Sequence, residues 1–180
     1  MRIKKENSIG VVIDIQERLF PVMNDTEQLL KRCKILVEGL QVLSVPLLVT
    51  QQYTKGLGET LPEISALIDD FSPIEKSSFS CYDEPAFVEA LEEIDDTNVI
   101  ICGIEAHVCV LQTAIDLRNA GYNPIVVVDC ISSRKKQDME LALIRYQQEG
   151  VLVTTSESIL FELARSSKAP AFKSISKLVK

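Results

Sequence analysis

A thiol, a carboxylate and an ammonium that share one site make a nucleophile, a proton carrier and a charge stabiliser. In this 180-residue sequence Cys109, Asp14 and Lys76 hold positions that allow the combination. Cys109 closes the stretch Asn98-Val99-Ile100-Ile101-Cys102-Gly103-Ile104-Glu105-Ala106-His107-Val108-Cys109, in which an apolar strand runs into Gly103 and a helical pattern begins near the cysteine. Val110, Ala114 and Leu117 fall on one helical face, Leu111 and Ile115 beside it, and Gly121 stops the helix. A cysteine there meets unpaired N–H groups and the positive end of the helix dipole, so a thiolate is expected at neutral pH. Asp14 would take the thiol proton and return it to the leaving group, with Lys76 keeping Asp14 ionised. Backbone N–H groups before Cys109 would face the tetrahedral oxyanion, and hydrolysis of a thioester would close the cycle.

Each residue also has a plainer explanation. Cysteine is a common core residue, a carboxylate can cap a turn, and lysine is frequent on edge strands. The elements that carry the three decide between the accounts. Ser8-Ile9-Gly10-Val11-Val12-Ile13-Asp14 reads as a fully buried parallel strand with Asp14 at its C-terminal end. Asp25 with Gln28 resembles a capping box, and Leu29, Cys33, Leu36, Leu40 and Leu43 step by four and three along a helix. Val45 to Thr50 is a second strand, and residues 51–70 form a long polar connection. Ser72 to Phe79 reads as a short outer strand with Lys76 near its end. Asp83-Glu84-Pro85 opens a helix carrying Phe87, Val88, Leu91 and Ile94. Pro124 to Asp129 is another buried strand. Ser132 or Ser133 can cap the helix through Met139, Leu143 and Tyr146, and Val151 to Thr154 and Ser156 to Leu163 supply the last strand and helix.

Strands alternating with helices through right-handed crossovers predict an α/β fold, an open doubly wound six-stranded parallel sheet with helices on both faces. Ligands in such sheets bind beyond the carboxyl ends of the strands. Asp14, Lys76 and Cys109 all fall at that edge.

Composition narrows the function classes. Hydrophobic residues at 46% and charged residues at 25% describe an ordinary globular chain, read here as one domain over residues 1–180. A net charge of −7 argues against nucleic acid or an anionic membrane as partner. The five cysteines form no CxxC pair and His107 is the single histidine, so no metal or cofactor is expected and a reduced, cytoplasmic location is. From Arg165 to Lys180 there are five basic residues and no acidic ones. Phe172, Ile175 and Leu178 share a helical face, so this tail is expected to dock on the body or on a neighbouring subunit of a homo-oligomer.

Asp14 after the first strand, Lys76 in Glu-Lys-Ser-Ser-Phe-Ser, and Gly103-Ile104-Glu105-Ala106-His107-Val108-Cys109-Val110 resemble the motifs of the isochorismatase-like cysteine hydrolases, in family order and across essentially the whole chain. The resemblance implies an Asp14/Lys76/Cys109 triad, a cis peptide between Ile104 and Glu105, and an oxyanion hole from the N–H groups of Glu105 and Cys109. Nicotinamidases of this family carry an Asp/His/His metal site where this chain has Gln51-Gln52-Tyr53-Thr54-Lys55, so nicotinamide does not fit. Isochorismatases proper lack the cysteine. Gln51-Gln52-Tyr53-Thr54-Lys55-Gly56-Leu57-Gly58 and the tail Phe172 to Leu178 resemble instead a subgroup of isochorismatase-domain proteins of unassigned substrate. The implied activity is cleavage of a small-molecule amide or related C–N bond. The alternatives are a catalytically idle binding homologue and a thiol redox sensor, for which no near resolving cysteine is visible. Phe20, Tyr53, Phe79 and Tyr82 are candidate pocket walls that could equally be core. His107 could pair with Cys109, but a turn or interface role is favoured.

Overall fold

The computed structural model describes residues 2–93 and 97–180. Strands β1 (Ser8–Ile13), β2 (Leu47–Gln52), β3 (Ile74–Lys76), β4 (Asn98–Ile104), β5 (Asn123–Ser132) and β6 (Leu152–Thr154) form one sheet in the order β3-β2-β1-β4-β5-β6. Every adjacent pair is parallel. Between them run α1 (Thr26–Val42), α2 (Thr54–Leu57), α3 (Pro62–Ser65), α4 (Pro85–Glu92), α5 (Cys109–Asn119) and α6 (Lys136–Gln148), and after β6 come α7 (Ser156–Ala164) and α8 (Phe172–Leu178). The expected doubly wound α/β sheet is present.

The central strands are apolar throughout because both their faces are covered. Successive side chains of a strand point to opposite faces, so each strand feeds two cores. Val12, Ile100, Cys102, Ile125 and Val127 join the layer under α1 and α7, while Ile9, Val11, Ile13, Val99, Ile101 and Val126 join the layer under α4, α5 and α6. The chain winds outward through β1, β2 and β3, then returns to lay β4 beside β1. Strand order therefore switches between β1 and β4, where the segments after both strands leave the sheet side by side.

Gly103 makes that approach possible. It pairs with Ile13, has φ 133°, and a Cβ built on it would lie 2.1 Å from the Ile13 carbonyl oxygen. The neighbour is backbone and cannot swing aside. Gly103→Ala is accordingly expected to lower stability by about 3 kcal/mol or more, through a disfavoured φ plus a backbone clash. Chemical denaturation measures it, and a loss under 1 kcal/mol would contradict the geometry.

Several local expectations are corrected. Asp25 precedes α1 with φ 54° and makes no side-chain capping bond, because an N-cap needs extended backbone to turn its oxygen onto the helix N–H groups. Neither Ser132 nor Ser133 caps α6. Ser132 is still in β5 and donates to the Asn24 carbonyl at 2.8 Å, and Ser133 bonds to His107, so tertiary partners have claimed both hydroxyls. The connection after β2 is not plain loop, since it holds α2 and α3. The basic tail forms α8, whose Ile175 is buried against this chain's own core and whose Phe172 ring lies 6.1 Å from Phe161 of α7. Ile94, expected on the buried face of α4, lies outside the described residues.

Candidate active site

Asp14 is the first residue beyond β1 and adopts φ 53°, a left-handed conformation that Asp tolerates better than most residues. It is fully buried, and both carboxylate oxygens are engaged. Oδ2 accepts from Lys76 Nζ at 2.8 Å and Oδ1 from the Thr50 hydroxyl at 2.8 Å. Lys76, the last residue of β3, is 2% exposed, rare for a lysine and tolerable only with a paired charge. Its ammonium also donates to Gln52 Oε1 at 2.6 Å and to the carbonyls of Ser78 and Phe79, each at 3.1 Å. A lysine has three N–H donors, and here four acceptors already share them. Burial is the largest single influence and favours the neutral amine, but the charge of Asp14, the Cys81 and Cys109 side chains and the hydrogen bond to Asp14 together outweigh it. The Lys76 pKa ends above its ordinary value.

Cys109 is the first residue of α5, placed there by the segment that leaves β4 at the switch point. The Glu105 carbonyl anchors this turn, accepting from Val108 N–H at 3.1 Å and Val110 N–H at 3.2 Å. The Ile104–Glu105 peptide is cis. The Glu105 side chain, 7% exposed, is held by the Arg134 backbone N–H and guanidinium at 3.1 Å. The Cys109 thiol lies within hydrogen-bonding reach of Asp14. Its state differs from the expected thiolate. Burial first, then the charge of Asp14, push its pKa up to about 12; Lys76 pulls the other way, and the bond to Asp14 and the nearby Cys81 add to the rise. The helix terminus is real, but a buried sulfur beside a carboxylate keeps its proton.

Residues 8–158 match the Isochorismatase domain family. A mouse protein, Isochorismatase domain-containing protein 2A, is 38% identical over 180 residues, spanning 99% of this chain and 85% of its own. The chain belongs to the isochorismatase-like family. Among solved structures, one described as MAR1 ribonuclease from Caenorhabditis elegans has 38% identity and a TM-score of 0.94, covering 99% of this chain and 92% of its own. The ycaC gene product of Escherichia coli, described as an octameric hydrolase of unknown specificity, has 21% identity and a TM-score of 0.94 over 99% of this chain and 90% of its own, and shares the fold.

The other candidates of this isochorismatase-like chain are scattered. Phe20 is 6% exposed and packs in the apolar layer under α1. Tyr53 and Phe79 are 57% and 55% exposed, on the two segments that clamp Lys76: Tyr53 N–H donates to the Lys76 carbonyl at 3.0 Å, and the Phe79 carbonyl accepts from its ammonium. Tyr82 is partly buried, edge-on to Tyr122. His107 forms no dyad with Cys109. Its Nδ1 bonds to Ser133 Oγ at 2.9 Å and its Nε2 faces Asp138 at 3.9 Å, so it ties the turn to the segment before α6. Among the described residues no cluster of three or more His, Cys, Asp or Glu is arranged to hold a metal, and no helix is long and apolar enough to cross a membrane.

Sequence reasoning missed Thr50, Gln52 and Gln16. Gln16, fully buried, accepts from Gln52 N–H at 2.7 Å and donates to the carbonyls of Gln52 at 3.0 Å and Gly58 at 2.7 Å, stapling the segment after β1 to the connection after β2. The available signal was a polar residue closing a buried apolar strand. Thr50 ends Leu47-Leu48-Val49 as Asp14 ends Val11-Val12-Ile13.

Proposed function

We propose that this protein hydrolyses a small amide, or a related C–N bond, through a thioester on Cys109. The observation that carries the reading is the buried Asp14–Lys76 pair placed against a cysteine at the first residue of a helix. Since the resting thiol is neutral, attack requires a base. The Sγ–C bond forms as the thiol proton passes to Asp14, and the carbonyl electrons move onto oxygen, facing the backbone N–H groups of Glu105 and Cys109. Collapse of this adduct breaks the C–N bond, and Asp14 gives its proton to the departing nitrogen. Water, deprotonated by Asp14, then cleaves the thioester and restores the thiol. Lys76 stays a cation throughout, because its donors are committed to protein acceptors, and it stabilises Asp14 whenever that group is charged.

The Caenorhabditis elegans relative is named a ribonuclease. An RNA substrate calls for accessible positive charge against its phosphates, whereas this chain carries −7 and its site lysine is buried. The five unpaired thiols fit a reducing compartment. Leu141 and Ile144 of α6 and Leu152 and Val153 of the adjoining β6 are exposed apolar residues that suit self-association into a homo-oligomer.

The test is a panel of small amides, ureides and carbamates followed by ammonia release, with a short RNA as a further arm and Cys109→Ala throughout as control. Release from a member of the panel, abolished in Cys109→Ala, is expected. Cleavage of RNA alone would replace the amide reading, and no turnover of anything would favour the idle-homologue reading. Iodoacetamide gives a substrate-free check. Cys109 is 5% exposed against 0–2% for Cys33, Cys81, Cys102 and Cys130, so it should label first in the folded protein. Equal labelling of all five would remove the case for a special sulfur.

A further inference from the structure

The proton carrier itself is held by groups that the triad does not include. Thr50, on β2, is fully buried and meets Asp14 twice: its carbonyl accepts from the Asp14 N–H at 3.2 Å, and its hydroxyl donates to Asp14 Oδ1 at 2.8 Å. Behind it stands Cys81, in the 3₁₀ turn Cys81–Asp83 that follows β3, also fully buried. The Cys81 sulfur lies 3.7 Å from the Thr50 hydroxyl, and the Cys81 N–H donates to Thr113 Oγ1 of α5 at 2.9 Å. Thr113 lies one helical turn after Cys109, so this link runs from the nucleophile's own helix back to the carboxylate.

The direction of the bonds is determined. A carboxylate paired with an ammonium only accepts, so the Thr50 hydroxyl must give its hydrogen to Oδ1. Its oxygen is then free to accept from Cys81, whose pKa is pushed up to about 11, by burial first and then by the charge of Asp14, so the thiol keeps the proton it donates.

We propose that Thr50 and Cys81 are positioning residues for Asp14, holding the carboxylate through a one-way chain of donors, Cys81 to Thr50 to Asp14. The inference rests on reading Asp14 as the proton carrier. Thr50 restrains the carboxylate from one side while Lys76 restrains it from the other, so the plane presented to Cys109 is set by two independent bonds. Losing the Thr50 donor removes one of the two bonds that orient the carboxylate and leaves it free to turn away from Cys109. Lys76 from β3, Cys81 from the 3₁₀ turn and Cys109 from α5 each feel the charge of Asp14.

The experiment is the pH dependence of Cys109 alkylation by iodoacetamide in the full-length protein, with a thermal melt of each variant. Alkylation needs the Cys109 thiolate, so its acid limb reports how the carboxylate is presented to that sulfur. Thr50→Val should move that limb by about one pH unit. Thr50→Ser, which keeps the hydroxyl, should leave it in place. Cys81→Ala should shift it the same way by less. A packing role alone would change the melt or the overall rate without moving the limb. Wild-type limbs in both Thr50→Val and Cys81→Ala would overturn the inference; should Thr50→Val not fold, an unmoved limb in Cys81→Ala does so by itself. Asp14→Asn separates the two readings. Keeping the wild-type limb there would remove Asp14 from the chemistry, whereas losing it while Thr50→Val behaves as wild type defeats only the positioning chain.

Discussion

Lys76→Met is expected to lose about 3–5 kcal/mol of folding stability, because it strands a fully buried carboxylate without its cation. For a chain of this size that corresponds to a fall in melting temperature of about 10 °C. The effect is large because the variant must either keep an unpaired charge in the interior or protonate Asp14. The double variant Lys76→Met/Asp14→Asn removes both charges and should recover most of the loss, as replacing a whole buried pair is nearly neutral. The wild-type protein also carries a signature in alkali. Burial works against the Lys76 ammonium, but Asp14 and the neighbouring thiols raise its folded pKa above the ordinary 10.5. Its stabilising contribution is therefore complete below that value and fades as pH rises through the higher folded one. Lys76→Met should lack this alkaline component. Denaturation curves at neutral and alkaline pH read both effects, and a Lys76→Met protein as stable as wild type would refute the account of the pair.

Asp14→Asn should cost amide turnover about 10²–10⁴-fold, the usual loss when a positioned general acid–base is removed. Loss of turnover alone would not separate a proton carrier from a structural residue, but the thiol does. Two of the influences that raise the Cys109 pKa come from Asp14, its charge and its hydrogen bond, while Lys76 lowers it. Removing the carboxylate and keeping the ammonium must therefore bring the thiol down from about 12. The variant would form a thiolate more readily and yet hydrolyse less, since nothing protonates the departing nitrogen. Thiolate absorbance titrated against pH, beside ammonia release on the same samples, measures both. A thiol that stays at its wild-type value, or an undiminished turnover, contradicts the assignment.

The outline of the sheet was legible because buried parallel strands leave a plain mark. Ser8 to Ile13 and Asn98 to Ile104 are apolar on both faces, and the polar residue closing each marks where the chain leaves the sheet. The start of α5 at Cys109 was legible too, from the helical period after it. What escaped depends on partners distant in sequence. The Thr50 hydroxyl matters only because Asp14 is 36 residues away along the chain and 2.8 Å away in space. The capping roles expected of Asp25, Ser132 and Ser133 failed for the same reason, since local spacing is silent about tertiary competitors for a hydroxyl and about a positive φ. The protonation state of Cys109 was misjudged because a helix terminus can be read locally, whereas burial and the charge of Asp14 cannot.

A sulfur that keeps its proton at rest has a bearing on survival under oxidative stress. Peroxides oxidise thiolates far faster than thiols, and the sulfenic acid they leave is the first rung toward irreversible inactivation. On the proposed mechanism ionisation waits for an electrophilic carbonyl, so the resting Cys109 would be spared from hydrogen peroxide. The same chemistry leaves an unfolding or newly synthesised chain, with Asp14 and Lys76 not yet assembled around Cys109, more exposed to such damage than the finished protein.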